Sequence, residues 1–229
     1  MVRAVLLDFW GTLADGPATL WDDALRRALA AARVDAPFER FQAAWLASKA
    51  TEDGPAEPDL EGRFLRAFKT LGKPARTARP AAKEASARCV QEIGAAARLF
   101  PDALPALRAL PPDLRVGVVS NFPDATVFAR TLSRLGLSGR LDAAVCSAEA
   151  GARKPDPAPF LLALERMKVG PAEAVMVGDG EDDVAGATAA GIRAVFLARA
   201  GQAAPPGATA TISGLAELAE TLRRLAANA

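Results

Sequence analysis

Short apolar runs alternate with amphipathic stretches along most of the chain, and this alternation predicts its elements. The first run, Val5-Leu6-Leu7, stops abruptly at Asp8, which is typical of a buried parallel strand that delivers a carboxylate to the carboxyl edge of a sheet. From Phe100 onward, similar runs alternate with helical stretches. The predicted later strands are residues 115–119, 143–146, 174–177, 192–197 and 210–212. Such alternation predicts right-handed crossovers and a parallel, doubly wound α/β sheet, which binds ligands at its carboxyl edge.

Residues 15–98 have a different pattern, with helical periodicity and no strand pattern. Thr19 and Asp22 have the spacing of a capping box for the first helix, and further helices are predicted to begin at Pro37, Leu60 and Ala81. A polar, Pro-rich stretch at 51–59 is expected to form an exposed loop. The apolar stripes are expected to be the core of this block; they contain Trp21, Leu25, Ala28, Leu29, Phe38, Phe41, Trp45, Phe64 and Phe68. The block is therefore predicted to be a small all-helical cap domain, inserted after the first strand.

Composition excludes several classes of function. The chain has 229 residues, and 28 Lys and Arg nearly balance 27 Asp and Glu, so no charge excess points to nucleic acid or an acidic membrane. No secretory leader or membrane-spanning run is found, which predicts a soluble, cytoplasmic protein. The absence of His and Tyr excludes Ser-His-Asp and Cys-His mechanisms within one chain. Cys89 and Cys146 are expected to be buried thiols, not a disulfide or a zinc site.

Polar residues follow several of the predicted strands, where parallel strands bring their carboxyl ends together. They are Asp8 with Gly11 and Thr12, Ser120 with Asn121, the loop residue Lys154, and Asp179 with Asp182 and Asp183. Asp8 can act as a nucleophile or a metal ligand, and the hydroxyl, amide and ammonium groups can hold an anionic oxygen. Asp8 and Asp179 at neighbouring strand ends form a hard-oxygen site that suits Mg²⁺. Taken singly, each segment also fits a turn, a solvated loop or a helix cap.

In order and spacing, four segments resemble the motifs of the haloacid dehalogenase-like superfamily of hydrolases. The segments are residues 8–13, 118–121, 154–157 and 177–183. The resemblance implies a Rossmann-like core over residues 1–14 and 99–229, a helical cap over residues 15–98, and phosphoryl transfer through an aspartyl-phosphate on Asp8. It implies a phosphorylated small-molecule substrate, with no nucleic acid or membrane partner. The implied Mg²⁺ ligands are Asp8, the backbone carbonyl of Trp10 and Asp179, with Asp183 either a further ligand or a carboxylate that contacts the ligands. The implied phosphate-binding residues are Gly11, Thr12, Ser120, Asn121 and Lys154.

Trp10 departs from the pattern of the family's phosphatases, which carry a second Asp two residues after the nucleophile. That Asp protonates the leaving oxygen and later activates water, and an indole cannot do either. Asp15, Asp182 or a carboxylate of the helical block are the candidates to replace it. Without a replacement, acid catalysis of the usual kind is lost, and acyl or aryl phosphates, whose leaving groups need no proton, are the favoured substrates. The alternative is that Trp10 simply packs, with its carbonyl alone facing the metal.

Three other functions fit the resemblance. Haloacid dehalogenases carry an aromatic residue at the place of Trp10 and use the nucleophile without metal, but they lack the Gly178-Asp179-Gly180 stretch and carry a Tyr where Phe160 stands. Phosphonate hydrolases of the family use a cap lysine, for which Lys49 is the candidate. A phosphate-binding or regulatory protein that has lost turnover is the reading outside enzymes, although the presence of Asp8, Lys154 and Asp179 argues against complete loss.

Overall fold

The computed structural model describes residues 1–48 and 59–227 and divides the chain into two compact units. Met1–Asp15 and Arg98–Ala229 form the first, called here the α/β unit, and Gly16–Ala97 form the second, the helical unit. Lys49 and almost all of the predicted 51–59 loop lie outside the described residues. That the helical unit acts as a cap stays a prediction.

The α/β unit is built on a six-stranded parallel sheet in the order β5-β4-β1-β6-β7-β8. The strands are β1 Ala4–Leu7, β4 Arg115–Ser120, β5 Ala143–Cys146, β6 Ala174–Gly178, β7 Arg193–Leu197 and β8 Ala208–Ile212. Leu7 pairs with Val118 on one side and Val177 on the other. Because all three strands run in the same direction, Asp8, Ser120 and Asp179 come to one edge of the sheet. The predicted Rossmann-like α/β fold is thus confirmed.

Helices follow the strands in the α/β unit. They are α5 Ala103–Ala109, α6 Ala125–Arg134, α7 Ser147–Ala150, α8 Ala158–Met167, α9 Glu181–Ala189 and α10 Leu218–Ala227. One hydrophobic core lies between the sheet and helices α8 and α9, where Phe160, Met167 and Val184 pack with Leu6 and Met176. On this face the apolar stripe of each helix covers alternate strand residues, as the pattern predicts.

Two short strands form a separate antiparallel ribbon that the sequence pattern did not predict. Ala14–Asp15 (β2) pairs with Arg98–Leu99 (β3), and Phe100 N–H donates to the carbonyl of Leu13 at 3.0 Å. Two residues on each strand are too few to show an alternating pattern. The ribbon lies where the chain leaves the α/β unit and where it returns.

The helical unit contains α1 Leu20–Ala31, α2 Phe38–Ala47, α3 Leu60–Thr70 and α4 Ala75–Ala96. Phe41, Phe64 and Phe68 are fully buried and Trp45 nearly so, so the predicted aromatic core is confirmed for these residues. Trp21 was wrongly assigned to the apolar stripe of α1: it is 51% exposed, because Ala24, Leu25, Ala28 and Leu29 form the buried stripe. No helix among the described residues is long and apolar enough to span a membrane.

The cap of α1 and the start of α4 differ from the prediction. Thr19 does not cap α1 with its side chain, because its hydroxyl donates to the Asp23 carboxylate at 2.6 Å, so the predicted capping box is wrong. Helix α4 begins at Ala75 instead of Ala81 and includes Pro80. Pro80 removes one backbone hydrogen bond, but the chain enters the helix after Pro74, a residue that favours the first turn.

Candidate active site

A buried lysine joins two of the predicted carboxylates at the carboxyl edge of the sheet. The Lys154 ammonium contacts Oδ1 of Asp8, lies 2.5 Å from Oδ1 of Asp183, and donates to the Val119 carbonyl at 3.3 Å. Lys154 and Asp8 are each 5% exposed and Asp183 is 3% exposed. The strand end that presents Asp8, the 151–157 loop and the first turn of α9 therefore meet at one point.

Asn121 holds the backbone of Lys154 from both sides. Its Oδ1 accepts from the Lys154 N–H at 2.8 Å, and its Nδ2 donates to the Lys154 carbonyl at 3.2 Å. The amide expected to hold a phosphoryl group is thus used to place Lys154. A direct contact from Asn121 to substrate stays a prediction.

The third predicted carboxylate, Asp179, is held by the turn that follows β1. Thr12 Oγ1 donates to Asp179 Oδ1 at 3.1 Å. Gly11 has φ +79°, and a Cβ placed on it would lie 2.0 Å from Asp179 Oδ2. Since glycine adopts this φ without strain and leaves room for the carboxylate, the Gly-Thr pair brings the backbone against Asp179.

Three carboxylates therefore share one ammonium. Ligand oxygens of Asp8, Asp179 and Asp183 all lie within 4.8 Å of one another. Burial raises the pKa of Asp8 to about 7; Lys154 opposes this rise, and Asp183 and Asp179 add to it. Burial also raises the pKa of Asp179, against the hydrogen bond from Thr12. Burial alone would lower the pKa of Lys154, but Asp8 and Asp183 outweigh it and raise the pKa above its ordinary value. The site thus holds more negative charge than its own cation balances.

Ser120 provides an unused polar atom at the same edge. It is 1% exposed, and its Oγ has no hydrogen-bond partner among residues 1–48 and 59–227. A buried hydroxyl without a partner costs free energy, so an unsatisfied Oγ here is a candidate for binding a ligand oxygen.

Trp10 is half-buried two residues after Asp8, with its ring edge-on to Phe9 at a centroid distance of 5.1 Å. Among residues 1–48 and 59–227, Asp183 and Asp179 are the acids that shift the pKa of Asp8. Asp15 and Asp182, the candidate replacement acids in the α/β unit, are both exposed. Replacement of the acid absent at Trp10 by Asp15, Asp182 or a carboxylate of the helical unit stays a prediction.

Phe160 and the two cysteines have structural positions. Phe160 is fully buried on α8, and its ring lies where a Cβ on Gly186 would be 2.5 Å from Cε2. Cys89 and Cys146 are both buried, as predicted. Phe160 therefore belongs to the core between α8 and α9.

Sequence reasoning missed Arg199, which follows β7. Its guanidinium donates to the backbone carbonyls of Gly11 and Thr12 and pairs with Asp102. A charged residue just after a predicted strand was visible in the sequence, but its partners are far apart along the chain.

Comparisons with known proteins agree with this geometry. The family model described as haloacid dehalogenase-like hydrolase matches residues 2–191. The chain therefore belongs to the haloacid dehalogenase-like hydrolases. It is similar to the crystal structure of 2-haloacid dehalogenase from Pseudomonas syringae pv. Tomato DC3000, with a TM-score of 0.77 and 29% identity over 98% of this chain and 100% of that chain.

Curated relatives include phosphatases. The chain is 31% identical to a phosphoglycolate phosphatase of Shigella boydii serotype 4 over 210 residues, which cover 86% of this chain and 81% of that protein. It is 39% identical to a phosphoglycolate phosphatase of Rhodospirillum rubrum over 104 residues, 45% of this chain and 43% of that protein. The match to this and several other curated relatives spans less than half of their length.

Proposed function

We propose that the protein is a Mg²⁺-dependent hydrolase of phosphatase type, which transfers a phosphoryl group through an aspartyl-phosphate on Asp8. The observation that carries the proposal is the cluster of Asp8, Asp179 and Asp183 around a single buried ammonium. The phosphatases among the relatives support the reaction class. The substrate is accordingly a small phosphorylated molecule.

The residues present fit a magnesium ion. Carboxylates are the hard oxygen ligands that Mg²⁺ prefers. Burial, with repulsion from Asp183 added to it, raises the pKa of Asp8 and of Asp179, and a divalent cation would favour their ionised forms. Asp8, Asp179, Asp183 and the carbonyl of Trp10 are the proposed ligands. Bound there, the ion neutralises charge on the phosphoryl oxygens.

The chain's own groups have distinct roles in this reaction. One carboxylate oxygen of Asp8 attacks phosphorus, the bond to the leaving oxygen breaks, and water then hydrolyses the acyl-phosphate to phosphate and free Asp8. Lys154 favours the ionised form of Asp8 and binds a phosphoryl oxygen, and the hydroxyl of Ser120 donates to another. Gly11 and Thr12 bring backbone groups and Asp179 close to the same phosphoryl group.

Trp10 sets the expected substrate preference. With Trp10 at the place of the general acid, we expect an alkyl phosphate to lose the roughly 10²–10⁴-fold that general acid catalysis typically contributes. The leaving groups of acyl and aryl phosphates are weakly basic anions that need no proton. The loss of the acid therefore slows these substrates less. We therefore expect turnover of acetyl phosphate and para-nitrophenyl phosphate to exceed that of simple alkyl phosphates.

The test is release of phosphate from acetyl phosphate and para-nitrophenyl phosphate, with Mg²⁺ or with EDTA, for the wild type and Asp8→Asn. We expect Mg²⁺-dependent release that falls at least about 10³-fold in the variant, because the nucleophile is lost. Lys168→Gln, an exposed substitution at the end of α8, is the matched control and should leave the rate unchanged. Release that persists in Asp8→Asn would contradict the proposal.

A second candidate is dehalogenation, favoured by the aromatic Trp10 beside Asp8 and by the likeness to the Pseudomonas dehalogenase. Here Asp8 would displace halide from carbon without metal. Chloride release from 2-chloropropionate in EDTA supports this candidate, and its absence removes it. If neither assay gives turnover in a folded protein that binds Mg²⁺, the remaining function is phosphate binding without catalysis.

A further inference from the structure

The turn that contains Trp10, Gly11 and Thr12 is hydrogen-bonded by a residue that lies outside the four motif segments. The turn, residues 9–14, is closed by its own hydrogen bonds from Leu13 and Ala14 N–H to the Phe9 carbonyl at 3.0 and 2.8 Å. Gly11 N–H donates to the Ala14 carbonyl at 2.8 Å. These bonds leave the carbonyls of Gly11 and Thr12 to accept from elsewhere.

Arg199 occupies both carbonyls. Its Nε donates to Gly11 O at 3.2 Å and its Nη2 to Thr12 O at 2.8 Å. The same guanidinium lies over the Phe100 ring, 4.0 Å from the centroid. A planar fork with fixed donor directions can bind two successive carbonyls and an acid together, which a lysine cannot do.

Asp102 fixes the guanidinium in that position. Its two carboxylate oxygens accept from Nη1 and Nη2 of Arg199, both at 3.0 Å, and Oδ2 also accepts from Leu215 N–H at 2.9 Å. Arg199 and Asp102 are 22% and 26% exposed at their side chains. The pair therefore joins the β1 turn to the start of α5 and to the segment before α10.

The turn in turn holds Asp179, through the Thr12 hydroxyl at 3.1 Å and through the close approach of Gly11. We infer that Arg199 and Asp102 form a positioning clamp, which fixes the 9–14 turn against Asp179 and so sets the geometry of the carboxylate cluster. The clamp touches neither Asp8 nor a reacting atom, so both members are positioning residues. The identity of the ion at the cluster rests on the proposed function, but the fixing of the turn does not.

The first measurement is amide hydrogen exchange in metal-free protein, for the wild type, Arg199→Lys and Asp102→Asn. We expect the amides of Gly11, Leu13 and Ala14 to exchange about 10-fold faster or more in both variants, because charge-assisted hydrogen bonds to the turn are lost. Since the two residues act as one unit, the double variant should exchange at the rate of either single variant.

The matched control is Arg166→Lys. Arg166 forms a comparable pair with Glu149, at 2.6 and 3.1 Å, and also binds a carbonyl, that of Ala144, at 3.0 Å. Among the described residues, no hydrogen bond or ion pair joins Arg166 to the 9–14 turn. Faster exchange at the turn in Arg166→Lys as well, or unchanged exchange in Arg199→Lys and Asp102→Asn, overturns the clamp.

The second measurement is the Mg²⁺ dissociation constant by calorimetry, without substrate. Partners that orient metal ligands typically contribute about 10–100-fold to affinity, and we expect a loss of this size in Arg199→Lys but not in Arg166→Lys. If wild type binds Mg²⁺ and Arg199→Lys binds it equally well, the effect on the cluster is refuted. If wild type does not bind Mg²⁺, the proposed function fails, while the exchange data still decide whether the clamp fixes the turn.

Discussion

The two units bury very different side chains. The α/β unit places Asp8, Lys154 and Asp183, all at most 5% exposed, at one edge of its sheet. The helical unit packs aromatic rings, with Phe64 lying 4.6 Å from Trp45 and 5.8 Å from Phe68 between ring centroids. Its one buried cation among the described residues, Arg63, lies over the Trp45 ring. Among the described residues, most of the buried charge thus lies in the α/β unit.

The aromatic cluster and the carboxylate cluster are expected to contribute to the free energy of unfolding in opposite directions. Packed rings gain free energy from area removed from water and from edge contacts, and any ring lost leaves a cavity. The buried Asp8 and Asp183 and the half-buried Asp179 lose hydration and repel one another, and the raised pKa of Asp8 reflects both costs. We therefore expect the aromatic cluster to stabilise the fold. We expect the carboxylate cluster to reduce stability, because its residues are arranged for metal binding and catalysis.

The largest expected effect comes from removing a ring from the aromatic cluster of the helical unit. Phe64→Ala should lower the free energy of unfolding by about 3–5 kcal/mol, because a fully buried ring is lost from a cluster that cannot close around the space. Its Mg²⁺ dissociation constant should stay unchanged. Denaturant unfolding and calorimetry measure the two quantities.

Leu46→Ala is the control for that prediction, since Leu46 is in the same unit but 57% exposed. It should cost less than about 0.5 kcal/mol. If Phe64→Ala weakens Mg²⁺ binding as strongly as it destabilises the protein, the two clusters are not independent and the comparison fails.

A smaller effect is expected where the site limits the backbone. Gly11→Ala places a methyl group 2.0 Å from Asp179 Oδ2, so the carboxylate must move, and Mg²⁺ affinity should fall by about 10-fold or more. Gly136→Ala is matched in conformation, with φ +73° and no atom within 4 Å of the new Cβ. Both should lose about 1–2 kcal/mol of stability from the left-handed backbone, but Gly136→Ala should keep its affinity. Equal affinities in the two variants would contradict the role of Gly11.

Most strands of the six-stranded sheet could be predicted from hydrophobic periodicity. In these segments, tertiary packing buries the same residues that the local pattern marks as apolar. The strand at 143–146 was predicted to the residue, and the others within two residues at either end. The four-residue helix α7 and the β2–β3 ribbon were missed, since such short elements carry no period. Trp21 was misplaced because the buried stripe of α1 begins at Ala24, one turn later.

The site was predictable in its members but not in its connections. Parallel strands bring their ends to one edge, so Asp8, Lys154, Asp179 and Asp183 were expected to converge. The use of Asn121 to hold the Lys154 backbone depends on a loop whose path the sequence does not encode locally. Arg199 acts on residues at the opposite end of the chain, and pairing over such distances leaves no periodic trace.

The smallest expected effect tests the cost of the carboxylate cluster directly. Burial raises the pKa of Asp8 from 3.8 to about 7, so the folded state binds a proton in this range that the unfolded state has lost. The stabilising contribution of the protonated group is complete below pH 3.8 and disappears as pH rises through about 7. In EDTA, Asp8→Asn removes this pH-dependent loss and should be more stable than wild type above pH 7, by about 1–2 kcal/mol.

The measurement is the free energy of unfolding of both proteins in EDTA between pH 4 and pH 8. The advantage of Asp8→Asn should grow with pH and should shrink when Mg²⁺ is added, because the ion binds the native wild-type site and stabilises it. Asp182→Asn is the control, since Asp182 is exposed on the first turn of α9. This substitution should leave the free energy of unfolding unchanged. A wild type that is more stable than Asp8→Asn at pH 8 without metal would mean that Lys154 compensates the cluster fully. In that case the contrast between a stabilising aromatic core and a costly site would not hold.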